Sequence, residues 1–428
     1  MRKVGLKYGK DKLYANIDEK HIIHTLVPKD TDYIKNIKEE VTKVLNNPNG
    51  SKALKDIVVP GEKIAIIVSD ITRAWMKSDE FVIHIVNYLS DLGVKDEDIF
   101  IVIALGGHRK STEEEMIAVV GEEVYKRVKV YDHECEDENE LVYLGKSSRN
   151  TPIYLNKRVH EADRVILTGG IVFHLMAGFG GGAKSILPGV VGIKTIQANH
   201  RLCFNEGKSS GLNLKVKSNN VEGNPLRSDM NEVCGIANPD FLFNVVLDTS
   251  GNFIKFVAGD YKKAWLEGCD YIRSLYGVPI QSEADIVIAS AGGFPKDINL
   301  YQTVKTVDNG LYGGKVGSVL ILLSECIDGL GADEFADWFK FTSLEDMENE
   351  LKNKFTVPGY IAYKMAYTIQ NRKVILVSSL DDELVKSFNM IPCKDLEEAV
   401  KTAYELCECK EAKITLMPYG GNTLPVSL

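Results

Sequence analysis

Short apolar runs alternate with amphipathic stretches along most of the chain. IAIIVSD (64–70), IFIVIAL (99–105) and RVILTGG (164–170) are β-branched and nearly continuous, the pattern of strands buried on both faces. Between them, FVIHIVNYLSDLG (81–93) predicts a helix ending at a glycine. STEEEMIAVVGEEVYKRV (111–128) predicts another, opened by a capping box at Ser111/Thr112 with acids in its first turn. The alternation restarts with ADIVIASAGG (284–293), GSVLILLSE (317–325), KVILVSSL (373–380) and AKITLMPYGG (412–421), separated by the helical patterns SLEDMENELKNKF and KDLEEAVKTAYELC. Between the two blocks, 241–260 predicts a hairpin turning at Ser250-Gly251-Asn252, followed by a connecting helix, YKKAWLEGCDYIRSLYG. The N-terminal MRKVGLKYGKDKLYANID predicts a strand pair turning at Gly9-Lys10-Asp11.

These elements predict an α/β protein of two domains, each a mainly parallel sheet flanked by helices, with the active site in the cleft between them. Residues 1–270 would form the first domain and hold every histidine. Residues 271–428 would close the site, their last strand able to return to the first domain. A length of 428 residues agrees with more than one core.

Composition narrows the partners. A net charge of −9 argues against nucleic acid, which needs a basic surface, but leaves room for a small anion in a locally positive pocket. No apolar run is long enough to span a bilayer, and the N-terminus lacks the apolar core of a signal peptide, so a cytoplasmic protein with no membrane partner is expected. The eight cysteines are scattered, as reduced thiols would be. Cys407-Glu408-Cys409 lacks the second pair of a structural zinc site and reads as a helix end. All eight histidines lie between His21 and His200, which confines histidine chemistry to the first half.

In open α/β sheets ligands bind beyond the carboxyl ends of the strands, and those ends carry the least ordinary residues here. One exits into Asp70-Ile71-Thr72-Arg73, a hydroxyl, backbone donors and a guanidinium suited to an anion. Another exits into Gly106-Gly107-His108-Arg109. A third exits into GGIVFHLMAGFGGGAKSILPG (169–189), and a fourth into Phe294-Pro295-Lys296-Asp297. The segment 178–185 resembles a phosphate loop, G-x-x-x-x-G-K-[ST], with Ala183 in place of the second glycine. An extra loop before it and Pro188 after it fit such a loop poorly. The alternative is a flexible glycine loop presenting Lys184 between His174 and His200. Desolvation beside Phe179 and Ile186 would make that lysine nucleophilic, and the imidazoles suit metal ligation and proton transfer. A nucleotide-binding transferase and a non-catalytic anion-binding module remain open on these residues alone. His84, His21, His24 and His160 sit in ordinary amphipathic segments, and His133 is ambiguous.

Five ordered motifs resemble the nickel-dependent lactate racemases over essentially the whole chain. They are Asp70-x-Thr72-Arg73, Gly-Gly-His108-Arg109, His174-x-x-Ala-Gly-Phe-x-Gly-Gly-x-Lys184, Thr195-Ile-x-x-Asn199-His200 and Asn299-Leu-Tyr301-Gln302-x-x-Lys305. The resemblance implies an isomerase carrying a nickel-pincer nucleotide, a pyridinium mononucleotide whose 3-thioamide and 5-thiocarboxylic acid bind Ni(II). It implies thioamide attachment at Lys184 and nickel ligation by His200. His108 and His174 would serve as catalytic acids and bases, and Arg73 would hold the substrate carboxylate. Asp70, Thr72, Gly181, Gly182, Tyr301, Gln302 and Lys305 would contact cofactor or substrate. It also implies a small 2-hydroxy acid substrate, lactate or a relative, hydride transfer through a 2-oxo acid, and dedicated proteins that make and load the cofactor. Two departures stand out. Ala74-Trp75 follows the Thr-Arg pair where family members commonly have proline, and Tyr360 is the candidate for the aromatic that often walls the site.

Overall fold

The computed structural model describes residues 1–428 other than 332, 408, 410 and 428. The chain divides into two units. One comprises Thr31–Asn205 and Leu212–Arg273, and the other comprises Met1–Asp30, Glu206–Gly211 and Ser274–Leu428.

In the Thr31–Arg273 unit the three apolar runs become the strands Ile64–Ser69, Ile99–Ala104 and Arg164–Gly170. They belong to a six-stranded sheet in the order Phe253–Gly259, Phe241–Leu247, Arg164–Gly170, Ile64–Ser69, Ile99–Ala104, Lys129–Asp132. All neighbours are parallel except the Phe241–Leu247/Phe253–Gly259 hairpin. The chain leaves the Ile64–Ser69 strand toward one side and returns on its other side at Arg164–Gly170. That reversal opens a crevice at the carboxyl ends of these strands, the usual ligand position in such sheets.

The helix Ser78–Asp91 covers the sheet with Phe81, Val82, Ile85, Val86 and Leu89, one stripe at helical spacing. Its Phe81 ring lies 5.2 Å from that of Phe243, which lies 5.2 Å from Phe256. The helix predicted over 111–128 is two helices, Glu113–Val120 and Glu122–Arg127, broken at Gly121 with φ of 85°. Thr112 caps the first in a complete capping box with Glu115.

The other unit holds a second six-stranded sheet, ordered Ile391–Cys393, Lys373–Val377, Gly314–Leu323, Ala284–Ser290, Ile414–Met417, Ile22–Thr25 and parallel throughout. Its edge strand corrects the expected boundary. Residues 1–30, expected in the first domain, join this unit because Ile22–Thr25 pairs with Ile414–Met417, while the 412–421 segment stays inside this sheet rather than returning to the other. His21 and His24 therefore belong here too, where His21 Nδ1 lies 2.6 Å from Tyr404 Oη and His24 Nε2 lies 3.0 Å from the Ser282 carbonyl.

The N-terminal strand pair turns at Gly9, φ 52°, as expected. Asn299 caps the helix Leu300–Gly310, whose first turns carry Tyr301, Gln302 and Lys305. Tyr360 is 1% exposed, with its ring 5.8 Å from Phe355, and offers no surface as a wall. Cys407 ends the helix Leu396–Cys407, and Glu408 lies outside the described residues. None of the eight cysteines forms a disulfide. Among the described residues no helix is long and apolar enough to cross a membrane.

Phe243 is fully buried between Phe81 and Phe256. Phe243→Ala is expected to cost about 3–5 kcal/mol, read as a lower denaturation midpoint at unchanged m-value.

Candidate active site

Three neighbouring strand exits meet the crevice. The central exit enters a 3₁₀ turn, Ile71–Met76, that carries Thr72 and Arg73. Asp70 is 4% exposed. Its Oδ2 lies 2.8 Å from His108 Nδ1, and Thr72 Oγ1 donates to Oδ1 at 2.9 Å. Burial raises the Asp70 carboxyl, but the hydrogen bond and charge of His108, with help from Thr72 and Arg73, outweigh it and hold the group below its ordinary value. An ionised carboxylate only accepts, so His108 carries its proton on Nδ1, and in the neutral ring Nε2 is the base. Asp70, expected at the cofactor with Thr72, thus bonds to His108, and Thr72 bonds to Asp70. Arg73 Nη1 donates to Thr72 Oγ1 at 3.1 Å. Gly106, φ 56°, donates its N–H to Gly189 O at 3.0 Å, which lays the His108 loop against the end of the glycine-rich segment. Arg109 turns away to pair with Glu115 at 2.6 Å.

The third exit forms a two-residue ladder, Phe173–His174 against Gly178–Phe179. His174 Nδ1 accepts the N–H groups of Met176 and Ala177, both at 3.2 Å. Its neutral form therefore carries the proton on Nε2, the opposite tautomer to His108. The two histidine-bearing exits flank the Arg73 exit, separated by two strand spacings, roughly 10 Å.

Lys184 stands on a single 3₁₀ turn, Gly182–Ser185, and the next helix begins only at Ile193. No helix N-terminus lies where a phosphate loop needs one, so that reading fails on geometry. The glycines are packed rather than loose. A Cβ on Gly181 would meet Asn244 Oδ1 at 2.5 Å, and one on Gly182 would meet Trp265 Cγ at 2.7 Å. Gly182 donates its N–H to Asn244 Oδ1 at 2.8 Å, and Trp265 Nε1 donates to Gly180 O at 2.7 Å. Lys184 keeps some accessible surface, yet protein surrounds it closely enough that burial lowers its ammonium to about 7, assisted by the charges of Arg227 and Arg73. Among the described residues no carboxylate pairs with it.

His200 ends the helix Ile193–His200 and is 5% exposed. Its Nδ1 donates to Ile196 O at 3.0 Å, leaving Nε2 as the lone-pair nitrogen of the neutral ring. Burial and the charge of Lys184 push it down to about 3, so it is neutral at physiological pH, the form that ligates metals. Two neighbours fix the helix. Thr195 Oγ1 accepts Tyr154 N–H at 3.0 Å, and Asn199 Nδ2 donates to Asp229 Oδ2 at 2.9 Å. Asp229, fully buried, also accepts from Ser147 at 2.5 Å and Thr151 at 2.8 Å.

Asn244, Arg227, Trp265 and Asp229 were not singled out by sequence reasoning. Asn244 alone left a signal, as a polar residue inside the apolar run FLFNVVL. His133 is structural. It is 1% exposed, bonded to Val191 O and Asn156, and lowered to about 4 by burial. Tyr301, Gln302 and Lys305 belong to the other unit, and Asp70, Arg73, His108, His174, Lys184 and His200 all belong to the Thr31–Arg273 unit.

Comparison with known proteins bears on this arrangement. Residues 8–211 match the lactate racemase N-terminal domain, and residues 280–424 match the lactate racemase C-terminal domain. The lactate racemase of Thermoanaerobacterium thermosaccharolyticum is 34% identical over 434 residues, covering 99% of each chain. That of Lactiplantibacillus plantarum is 32% identical, covering 97% of this chain and 98% of its own. The structure of the T. thermosaccharolyticum lactate racemase apoprotein superposes with a TM-score of 0.88 at 33% identity, covering 99% of this chain and all of that one. A Thermotoga maritima protein of 16% identity shares the fold, with a TM-score of 0.64. The chain belongs to the lactate racemase family, a family of isomerases.

Proposed function

We propose that this protein racemises lactate at the crevice of the Thr31–Arg273 unit, using a nickel-pincer nucleotide attached at Lys184. The observation that carries the reading is the pair of imidazoles in opposite tautomers on either side of the Arg73 exit. A racemase needs a proton acceptor on one face of its substrate and a donor on the other.

The residues fit the implied cofactor. Lys184 offers an amine that burial brings to about 7 and that no carboxylate holds, as an attachment nucleophile requires. His200 is neutral, with Nδ1 tied to a backbone carbonyl, the usual arrangement of a metal-ligating histidine. When bound, the group supplies an electron-poor centre that exchanges hydride reversibly with substrate C2, which avoids a carbanion beside a carboxylate. Arg73 holds the substrate carboxylate through its forked donors. His108 Nε2 takes the hydroxyl proton, and Asp70 stabilises the resulting imidazolium. His174, in its imidazolium form, gives its Nε2 proton to the oxygen when the planar 2-oxo acid is reduced from its other face and returns to the neutral ring, and the roles reverse for the other enantiomer. The cofactor roles implied for Gly181, Gly182, Tyr301, Gln302 and Lys305, cytoplasmic residence and loading by cofactor-making proteins belong to the same proposal.

Polarimetry of cofactor-loaded protein on single-enantiomer 2-hydroxy acids is expected to show lactate racemising, and Lys184→Ala to abolish both turnover and a covalent mass adduct. Inert loaded protein, or an unchanged mass in both forms, sinks the reading. Amine acylation of the apoprotein is a separate check. Lys184 labelling should rise through pH 7 and level off near 8, because its ammonium is already lost there, whereas surface lysines keep gaining toward about 10.4. Asp70→Asn should lower turnover in both directions by roughly a hundredfold to ten-thousandfold, since the amide no longer dictates the His108 tautomer, while the adduct mass stays. Wild-type turnover in that variant removes the assigned role of Asp70.

A further inference from the structure

Arg227 is fully buried, yet its partners are not carboxylates. Buried guanidinium groups are ordinarily paired with acids, because an uncompensated charge in the interior is strongly unfavourable. Here Nε donates to Ala177 O at 2.8 Å, Nη2 donates to Phe179 O, and the guanidinium lies 4.3 Å over the Trp265 ring. Nη1 is buried without a partner. Trp265 takes the next carbonyl, Gly180 O, and Asn224 Nδ2 takes Met176 O at 2.8 Å. Four carbonyls leading into the lysine turn are thus held by three side chains. Two of these, Asn224 and Arg227, lie at the start of the helix Pro225–Ala237, which packs on the Gly182–Ser185 turn.

We infer that Arg227 and Trp265 form a clamp that positions the glycine loop and presents Lys184 for covalent attachment. In that step its amine nitrogen bonds to a thioacyl carbon of the cofactor precursor, a C–S bond breaks and the sulfur leaves as sulfide with the amine's proton. The inference rests on Lys184 being the attachment nucleophile. The clamp serves in two ways. It fixes the loop through the Ala177, Phe179 and Gly180 carbonyls, and it sets an unneutralised cation near the lysine amine, where it favours the neutral, reactive form. A carboxylate-paired arginine would give the first effect and cancel the second.

The test uses the full-length apoprotein. Hydrogen exchange at Gly180 and Gly182 reads the loop, because their N–H groups bond to Val172 O and Asn244 Oδ1. The ratio of Lys184 to exposed Lys52 acylation at pH 8 reads presentation of the amine. Arg227→Met is expected to raise exchange at both glycines about tenfold and to collapse the ratio toward one. Arg227→Lys, which keeps a charge without the fork, should loosen the loop but retain part of the ratio. Trp265→Phe should loosen Gly180 most. Unchanged exchange and ratio in folded Arg227→Met overturn the inference. If that variant does not fold, wild-type protection in both Arg227→Lys and Trp265→Phe overturns it. A ratio near one in the wild type overturns the nucleophile itself, and so separates failure of the functional reading from failure of the clamp.

Discussion

Two cations, Lys184 and the fully buried Arg227, lie close together at the centre of this protein, and among the described residues no carboxylate pairs with either. Lys184 is lowered to about 7 and Arg227 to about 10, each by burial first. Such a pair opposes folding near neutral pH, because the unfolded lysine binds a proton that the folded one releases. Its penalty fades as pH rises from about 7 toward the ordinary lysine value. A chain retains that cost where an unprotonated amine is the product. Much of the surrounding structure offsets it: the apolar hairpin strand that supplies Asn244, the helix that supplies Arg227, and the Trp265 ring under the guanidinium.

The same economy of acids governs the histidines. Asp70 is the carboxylate at the crevice bonded to a proposed catalytic group, and it fixes one tautomer of His108. His174 accepts two backbone N–H groups, and His200 donates to a helix carbonyl. Backbone partners set ring orientation and tautomer while adding no charge that would protonate His200 or pull Lys184 back to its ammonium form. The buried acid near His200, Asp229, is taken up by Ser147, Thr151 and Asn199 and bonds to the helix rather than to the imidazole.

Much of this was legible in the sequence, and the exceptions have physical causes. Continuous β-branched runs mark strands buried on both faces wherever they occur, and glycine-rich or charged exits mark their ends. The periodicity of 111–128 missed the break at Gly121, because glycine at positive φ interrupts a helix without interrupting its apolar stripe. The edge strand Ile22–Thr25 pairs with residues almost four hundred positions away, and a short amphipathic segment says nothing about a partner so distant. The glycines of 178–182 suggested freedom of movement. Composition cannot distinguish a loop that needs glycine to move from one that needs it to let Asn244 and Trp265 approach.

That last distinction alters how the site is understood. A mobile lysine would lose much of its reactivity, because solvent restores its proton whenever the loop opens. A lysine on a loop held through its own carbonyls keeps its desolvated amine and its distance from His200, whose neutrality also depends on burial. Glycine at 181 and 182 permits the close approach of Asn244 and Trp265, and that approach holds the turn carrying Lys184. Rigidity at this turn is therefore the condition for the proposed reactivity of Lys184, and the positive φ angles there, 65° and 62°, are the conformational means by which the chain meets it.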